Sequence, residues 1–405
     1  MKRVFFLCVF IKLVLLLNAQ DNTDWRYDRT GIYSEETGLL KSWPVDGPKL
    51  LWHFDGLGEG HSSVAIASGK IYTTGLLDGK GYLFVFDLNG KLLNKTVYGD
   101  EWTVNYVGTR STPVINSGKI YLTSGTGDLV CLDEKTLGTV WKRHIFNDFE
   151  SKNIRWGFTE SPLIIGDNLI ITPGGKEHNI VALDKNTGKV IWSSPGMGEL
   201  SAYCSPLYIG DCETPLIVTM TAAHIIGLEA STGKVLWTFE NKNRNLIHSN
   251  TPIYANNMVL CVSVDKGVTM LKLSEGGRKA EIVWEIAELD NMMGAMVKVG
   301  NYVYGSSSGA NPAKFWYCVD WNTGEIKYRE TGLGMGVTIF ADGLLYCYSD
   351  KGEMALVNPR PEKFDIISMF PVTLGTDTHW AHPVIHNKIL YIRHGNTLMA
   401  YSIKN

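Results

Sequence analysis

The 405-residue sequence predicts an all-β fold, an eight-bladed β-propeller of four-stranded antiparallel blades, and three observations predict it. A phrase of the type "ALDKNTGKVIW" (182–192) recurs along the chain, and a second phrase of the type "STPVINSGKIY" (111–121) precedes each copy. The two ends hold complementary parts of one unit. Four short strands repeating every 40–50 residues or so belong to radial architectures, because one small sheet cannot bury both of its faces alone.

At the amino terminus, Lys2 and Arg3 precede an apolar run from Val4 to Leu17, followed by Asn18, Ala19 and Gln20. That is the order of a secretory leader, so a signal peptide is expected over 1–19, a single propeller over 20–405, and a periplasmic or secreted location. A bilayer span needs roughly 20 uninterrupted apolar residues, and Lys12 interrupts this run, so no transmembrane span is expected in the mature chain. Cys8 lies inside the apolar run with no small-residue cleavage pattern before it, which speaks against a lipid-anchored terminus.

Next comes "KLLWHFD" (49–55), whose Trp52 has the style of a fourth strand with no strands before it. The first-strand phrases follow. Taking Pro113, Pro162, Pro206, Pro252, Ala295, Thr338 and Pro383 as equivalent, the steps are 49, 44, 46, 43, 43 and 45 residues, and Val64 lies another 49 before Pro113. Each unit then reads as a Pro-x-hydrophobic strand, a Gly/Asn/Asp turn and a second strand, with the recurring phrase supplying the third and fourth. Within that phrase an acidic residue precedes an aromatic by eight positions, as in Asp133/Trp141, Asp184/Trp192, Glu229/Trp237 and Asp320/Tyr328. The acidic side chain can hydrogen-bond the turn backbone, Gly188 can take the positive φ that tightens it, and the aromatic can cover a neighbouring unit. The last unit, 381–405, supplies only three strands, so the amino-terminal strand is expected to complete it and remove a free edge.

Composition narrows the partners. Lys+Arg 38 against Asp+Glu 41, a formal charge of −3, gives no basis for nucleic-acid binding by charge. Six of the seven cysteines lie beyond the leader, mostly in strand-like apolar runs where a thiol packs as a small hydrophobe. Cys204 and Cys212 are the nearest pair, but sequence does not fix a connectivity, and no Cys-x-x-Cys occurs.

The A-x-D-x-x-T-G-K-x-x-W phrase is similar to the tryptophan-docking repeat of the pyrroloquinoline quinone (PQQ) propellers, a family that includes quinoprotein alcohol dehydrogenases and the assembly lipoprotein BamB. The opening "TGLLKSWPVDGPKLLWHFDGLGEGHSS" (37–63) resembles secreted PQQ-binding-like and polyvinylalcohol-dehydrogenase-like proteins. The resemblance covers nearly the whole mature chain, and it implies a fold rather than a function, because sites are grafted onto such repeats. It also implies that each blade's first strand lines a central channel. Three positions before the proline column stand His61, Arg110, Thr159, Tyr203, Ser249, Met292, Met335 and Trp380. This column and its two neighbours, with Trp156 nearby in sequence, nominate a ligand site: Arg110 for a carboxylate or phosphate, Trp156 and Trp380 as stacking faces, and His61, Glu160, Tyr203, His248, Asn250 and His379 as hydrogen-bonding or acid–base groups. The competing reading is a hydrated channel whose polar groups satisfy one another and water.

Three functions compete. The first is a binding module for a small-molecule or carbohydrate ligand, or for an envelope protein partner. The second is a PQQ-dependent alcohol or sugar dehydrogenase. By resemblance, PQQ with calcium would need carboxylate and amide oxygens, an aspartate base and often a vicinal cysteine pair, and no adjacent cysteines occur. The third is a carbohydrate-active lyase or hydrolase using the His/Arg/Tyr mouth. No G-x-S-x-G elbow supports a hydrolase triad, and histidine spacing defines no metal set.

Overall fold

The computed structural model describes residues 21–294, 296–307 and 314–405, so the leader expected over 1–19 and the column position Ala295 lie outside the described residues. Among the described residues eight sheets form, each with four antiparallel strands; seven are built from consecutive strands, the eighth takes its outer strand from the amino terminus, and one sheet carries a fifth strand. The third blade illustrates the unit: Leu163–Ile165, Asn168–Ile171, Ile180–Asp184 and Val190–Ser194. Its inner strands are buried on both faces because a blade stands on either side, which is why "IVALD" is an unbroken apolar run before its acid. The outermost strand is the most open to solvent, with Val190 and Ile191 exposed and Trp192 buried.

The recurring phrase is architectural. Asp184 Oδ1 accepts from the backbone N–H groups of Asn186 at 3.0 Å and Thr187 at 2.7 Å and from the Thr187 hydroxyl at 2.8 Å. Asp133 and Asp320 tie their turns in the same way. A bulge in the pairing of third and fourth strands recurs in every blade, just before the aromatic where one is present, and increases local twist. The aromatic then docks on the next blade: Trp141 donates its indole N–H to the Lys185 carbonyl at 2.9 Å, and Trp237 to that of Gly277 at 3.1 Å.

The ring closes as the ends require. Lys49–Phe54 pairs antiparallel with Thr397–Ser402, placing Trp52 opposite Ala400, and Trp52 donates to the Leu88 carbonyl of the first blade at 3.2 Å. One expectation needs correcting: a strand does precede residue 49. Ile32–Tyr33 pairs in parallel with the inner strand Gly336–Ala341 of the seventh blade. It ends a segment that crosses the channel. Asn22 and Thr23 accept from the N–H groups of Ile66 and Ile115, both at 2.8 Å. Arg29 donates to the carbonyls of Ser161, Pro162 and Pro206, while Arg26 donates to those of Gly294 and Met296. A segment touching the innermost strands or their lead-ins in so many blades can lie only on the axis, so residues 21–33 plug the channel.

Candidate ligand site on the propeller axis

In the segments leading into the first strands the lining positions mostly fall two residues apart, as in extended chain, the sixth blade excepted, where Gly294 takes φ +74° and Met292 and Met293 both line the cavity. Residues three before the proline column therefore share one direction, and seven of those eight (His61, Arg110, Thr159, Tyr203, Ser249, Met292 and Trp380) line a single cavity of about 310 Å³. The same alternation brings in Ser161, Ser205 and His382, one position before the column. Deeper along the strands the cavity meets the plug, with the Trp25 ring 5.1 Å from that of His382. His382 is fully partnered: Nε2 lies 2.8 Å from the Met293 carbonyl and Nδ1 lies 3.0 Å from the Arg26 guanidinium. A cation can only donate, so Nδ1 accepts and Nε2 carries the proton. Burial and the Arg26 charge hold the pKa of His382 well below its ordinary value.

His61 differs from His382 in its partners: its side chain is 8% exposed and neither ring nitrogen makes a well-formed hydrogen bond, the polar groups beside it being the Tyr106 backbone and the Asp377 carboxylate, 3.8 Å from Nε2. Burial, with the charges of Arg110 and Arg393 nearby, pushes its pKa down to about 3. The ring is therefore neutral, with one donor and one acceptor available. Trp380 covers it at 5.2 Å and meets Tyr106 at 5.1 Å. On the opposite wall Trp156 and Tyr203 lie 6.0 Å apart, and the Trp156 backbone N–H donates to the Tyr203 hydroxyl at 3.3 Å. Burial raises the Tyr203 phenol to about 12, so it keeps its proton.

Arg110 has two roles. It donates to the carbonyls of Asn105, Tyr106 and Gly108, bracing the loop that carries Tyr106. Among the described residues no carboxylate lies within ion-pair distance of it, and burial lowers its pKa to about 10, where it still remains charged at neutral pH. Neither Asp nor Glu is among the lining residues.

Of the nine nominated residues, His61, Arg110, Trp156, Tyr203 and Trp380 are brought together, whereas Glu160, His248, Asn250 and His379 are not among the lining residues. Those four stand two or four positions before the column and follow the opposite phase. The Glu160 carboxylate accepts from the Thr172 N–H at 3.2 Å, His248 lies between Ser263 at 2.8 Å and the Ala222 carbonyl at 3.2 Å, and Asn250 donates to the Asn291 carbonyl at 2.7 Å. His379 bonds the Tyr348 hydroxyl at 2.6 Å and stacks on His394. Trp25 and Tyr106 escaped sequence reasoning because neither sits in a repeat phrase; the two-residue alternation could have added Ser161, Ser205 and His382.

An axial cavity walled by the lead-ins to the first strands of tryptophan-docked blades defines a PQQ-type repeat propeller. The chain belongs to the family described as outer membrane protein assembly factor BamB, whose family model matches residues 14–194 and 149–360. It is similar to the crystal structure of BamB from Moraxella catarrhalis, with a TM-score of 0.64 and 15% identity over 88% of this chain and 98% of that one. It is likewise similar to the quinohemoprotein alcohol dehydrogenase of Comamonas testosteroni, with a TM-score of 0.69 and 12% identity over 95% of this chain and 81% of that one. Identities this low speak to the fold alone. A protein of Rickettsia conorii is 23% identical over 234 residues, which is 55% of this chain and 51% of that protein. The chain thus spans about half the length of the curated relatives it matches.

The quinone-and-calcium pair can be tested against the donors present. Calcium takes hard oxygen ligands, carboxylates above all, and the cavity lining supplies none. No cluster of three or more His, Cys, Asp or Glu among the described residues could hold a metal, and the six described cysteines are free and not adjacent. The residues lining the cavity do not fit that pair. Among the described residues, no helix is long and apolar enough to cross a membrane.

Proposed function

We propose that this chain is an exported binding propeller that holds a small ligand in its axial cavity, with His61, Arg110, Trp156, Tyr203 and Trp380 as the binding residues. One observation carries the reading: His61 lines the cavity with two buried ring nitrogens and no well-formed hydrogen bond to either. The cavity is large enough for water, and a ligand that hydrogen-bonds both nitrogens would replace that water at fixed positions. The aromatic walls supply apolar contact and the rigid blades fix the geometry, the usual division of labour in small-molecule sites. The dehydrogenase reading would require calcium donors that the lining lacks, so binding is the better supported function.

A thermal-shift screen of small molecules, with PQQ plus calcium among them, tests this on wild type and Trp380→Ala in parallel. Ligands should raise the wild-type midpoint and leave the variant unmoved. A screen in which no compound shifts wild type, or in which every hit shifts both proteins equally, overturns the axial site.

A further inference from the structure

We infer that the ligand class of this cavity is a sugar acid of the hexuronate type, free or at the end of an acidic oligosaccharide, with its carboxylate on Arg110, its hydroxyls on His61 and a ring face on Trp380. This rests on the axial cavity being a ligand site and adds what that site selects. Three properties of the lining lead to it.

The first is charge. Arg110 brings a guanidinium into a lining with no carboxylate, and Arg155 lies over the Trp156 ring at 4.7 Å on the exposed rim. With His61 and His382 neutral, Arg110 is the charged group of the lining itself; Asp377 and Glu101 stand behind the wall and offset part of its charge, yet the guanidinium still matches a carboxylate in shape as well as charge.

The second is hydrogen-bond polarity. Three lining hydroxyls have already committed their protons: Thr159 donates to the Tyr203 carbonyl at 2.8 Å, Ser161 to that of Thr112 at 3.1 Å and Ser249 to that of Met292 at 2.6 Å. These offer lone pairs, whereas the Tyr203 hydroxyl, which accepts from the Trp156 N–H, still has its proton to donate, and neutral His61 offers one donor beside one acceptor. A ligand must therefore both donate and accept at several points, which ring hydroxyls do and an aromatic acid does not.

The third is shape. At about 310 Å³ the cavity is at the small end of ligand pockets, and its opposed walls, Trp380 with Tyr106 and Trp156 with Tyr203, present flat apolar surface. A single pyranose ring has polar edges and an apolar face, the arrangement these walls and edges complement.

Calorimetric titration of the purified chain with glucuronate, galacturonate, trigalacturonate, glucose and benzoate tests the inference. Either uronate should bind at least tenfold more tightly than glucose, with benzoate weaker still. Trigalacturonate binding more tightly than galacturonate assigns the site to a chain end, and weaker binding assigns it to the free sugar. His61→Phe, which breaks no well-formed hydrogen bond, should weaken uronate binding at least tenfold with the fold intact. Arg110→Gln should abolish the preference for uronate over glucose; if loosening of its loop lowers the thermal midpoint, His61→Phe alone carries the test. Benzoate binding without uronate, equal binding of glucose and uronate, or silence of all five compounds overturns the sugar-acid assignment. Any of these leaves the cavity as a ligand site if the thermal-shift screen yields hits that Trp380→Ala abolishes.

Discussion

The Trp141 indole lies flat across Gly188 of the next blade, so close that a Cβ built on that glycine would stand 2.8 Å from the ring. Gly188 also sits at φ +68°, so two independent constraints exclude a side chain there. The corresponding turn of the second blade carries Leu137 at φ +57°, and the blade that faces it has Asn94 at the position where Trp192 stands in the third blade. Glycine is present where an indole docks and dispensable where none does.

Gly188→Ala should therefore lower stability by more than the roughly 1–2 kcal/mol that a left-handed non-glycine residue costs, because the ring must also shift. Leu137→Gly relieves the left-handed strain but removes a buried side chain, so it should lose stability through packing and not through displacement of a ring. Denaturant midpoints of the two variants, compared with wild type, check the contrast.

Glu160 predicts an alkaline weakness. It is fully buried, and burial raises its pKa from 4.5 to about 8. The unfolded chain releases this proton first, so stability present at low pH is lost as pH rises from about 4.5 through about 8. Glu160→Gln should flatten that loss and raise the thermal midpoint at pH 8 relative to wild type, with little change at pH 5.

The buried histidines predict the opposite slope on the acid side. Burial lowers His248 and His379 from 6.5 to about 4 and His61 to about 3. As pH falls below about 6.5 the unfolded chain takes up protons that the fold refuses, so stability held at neutral pH declines toward pH 4. Denaturation midpoints between pH 7.5 and 4.5 should fall for wild type and fall less for His248→Gln.

The axial plug predicts a structural role for one arginine. Arg29 bonds Asp24 at 2.9 Å and three blade carbonyls. Arg29→Ala would leave those carbonyls and a carboxylate without their partner, at a cost of about 3–5 kcal/mol. Arg29→Lys should rescue only part of it, since one ammonium cannot span the same acceptors. Hydrogen exchange over residues 21–33 should accelerate in both variants, more in the first.

The sequence alone determined the eight blades and their closure, because both rest on local rules repeated many times: an acid that ties a turn, a glycine that tolerates an indole, an apolar strand stacked between neighbours. Trp52 could be assigned to the last blade on the same grounds. Which way the channel residues face was also latent there, since two-residue alternation separates His61 and Arg110 from Glu160 and His248. Only the tertiary structure decided the plug. Arg26, Tyr27, Asp28 and Arg29 all take positive φ, and of these residue types only aspartate leans toward the left-handed region, so local preference does not account for this turn, with four in a row. It is held by buried carbonyls from distant blades, which exist only once the ring has closed.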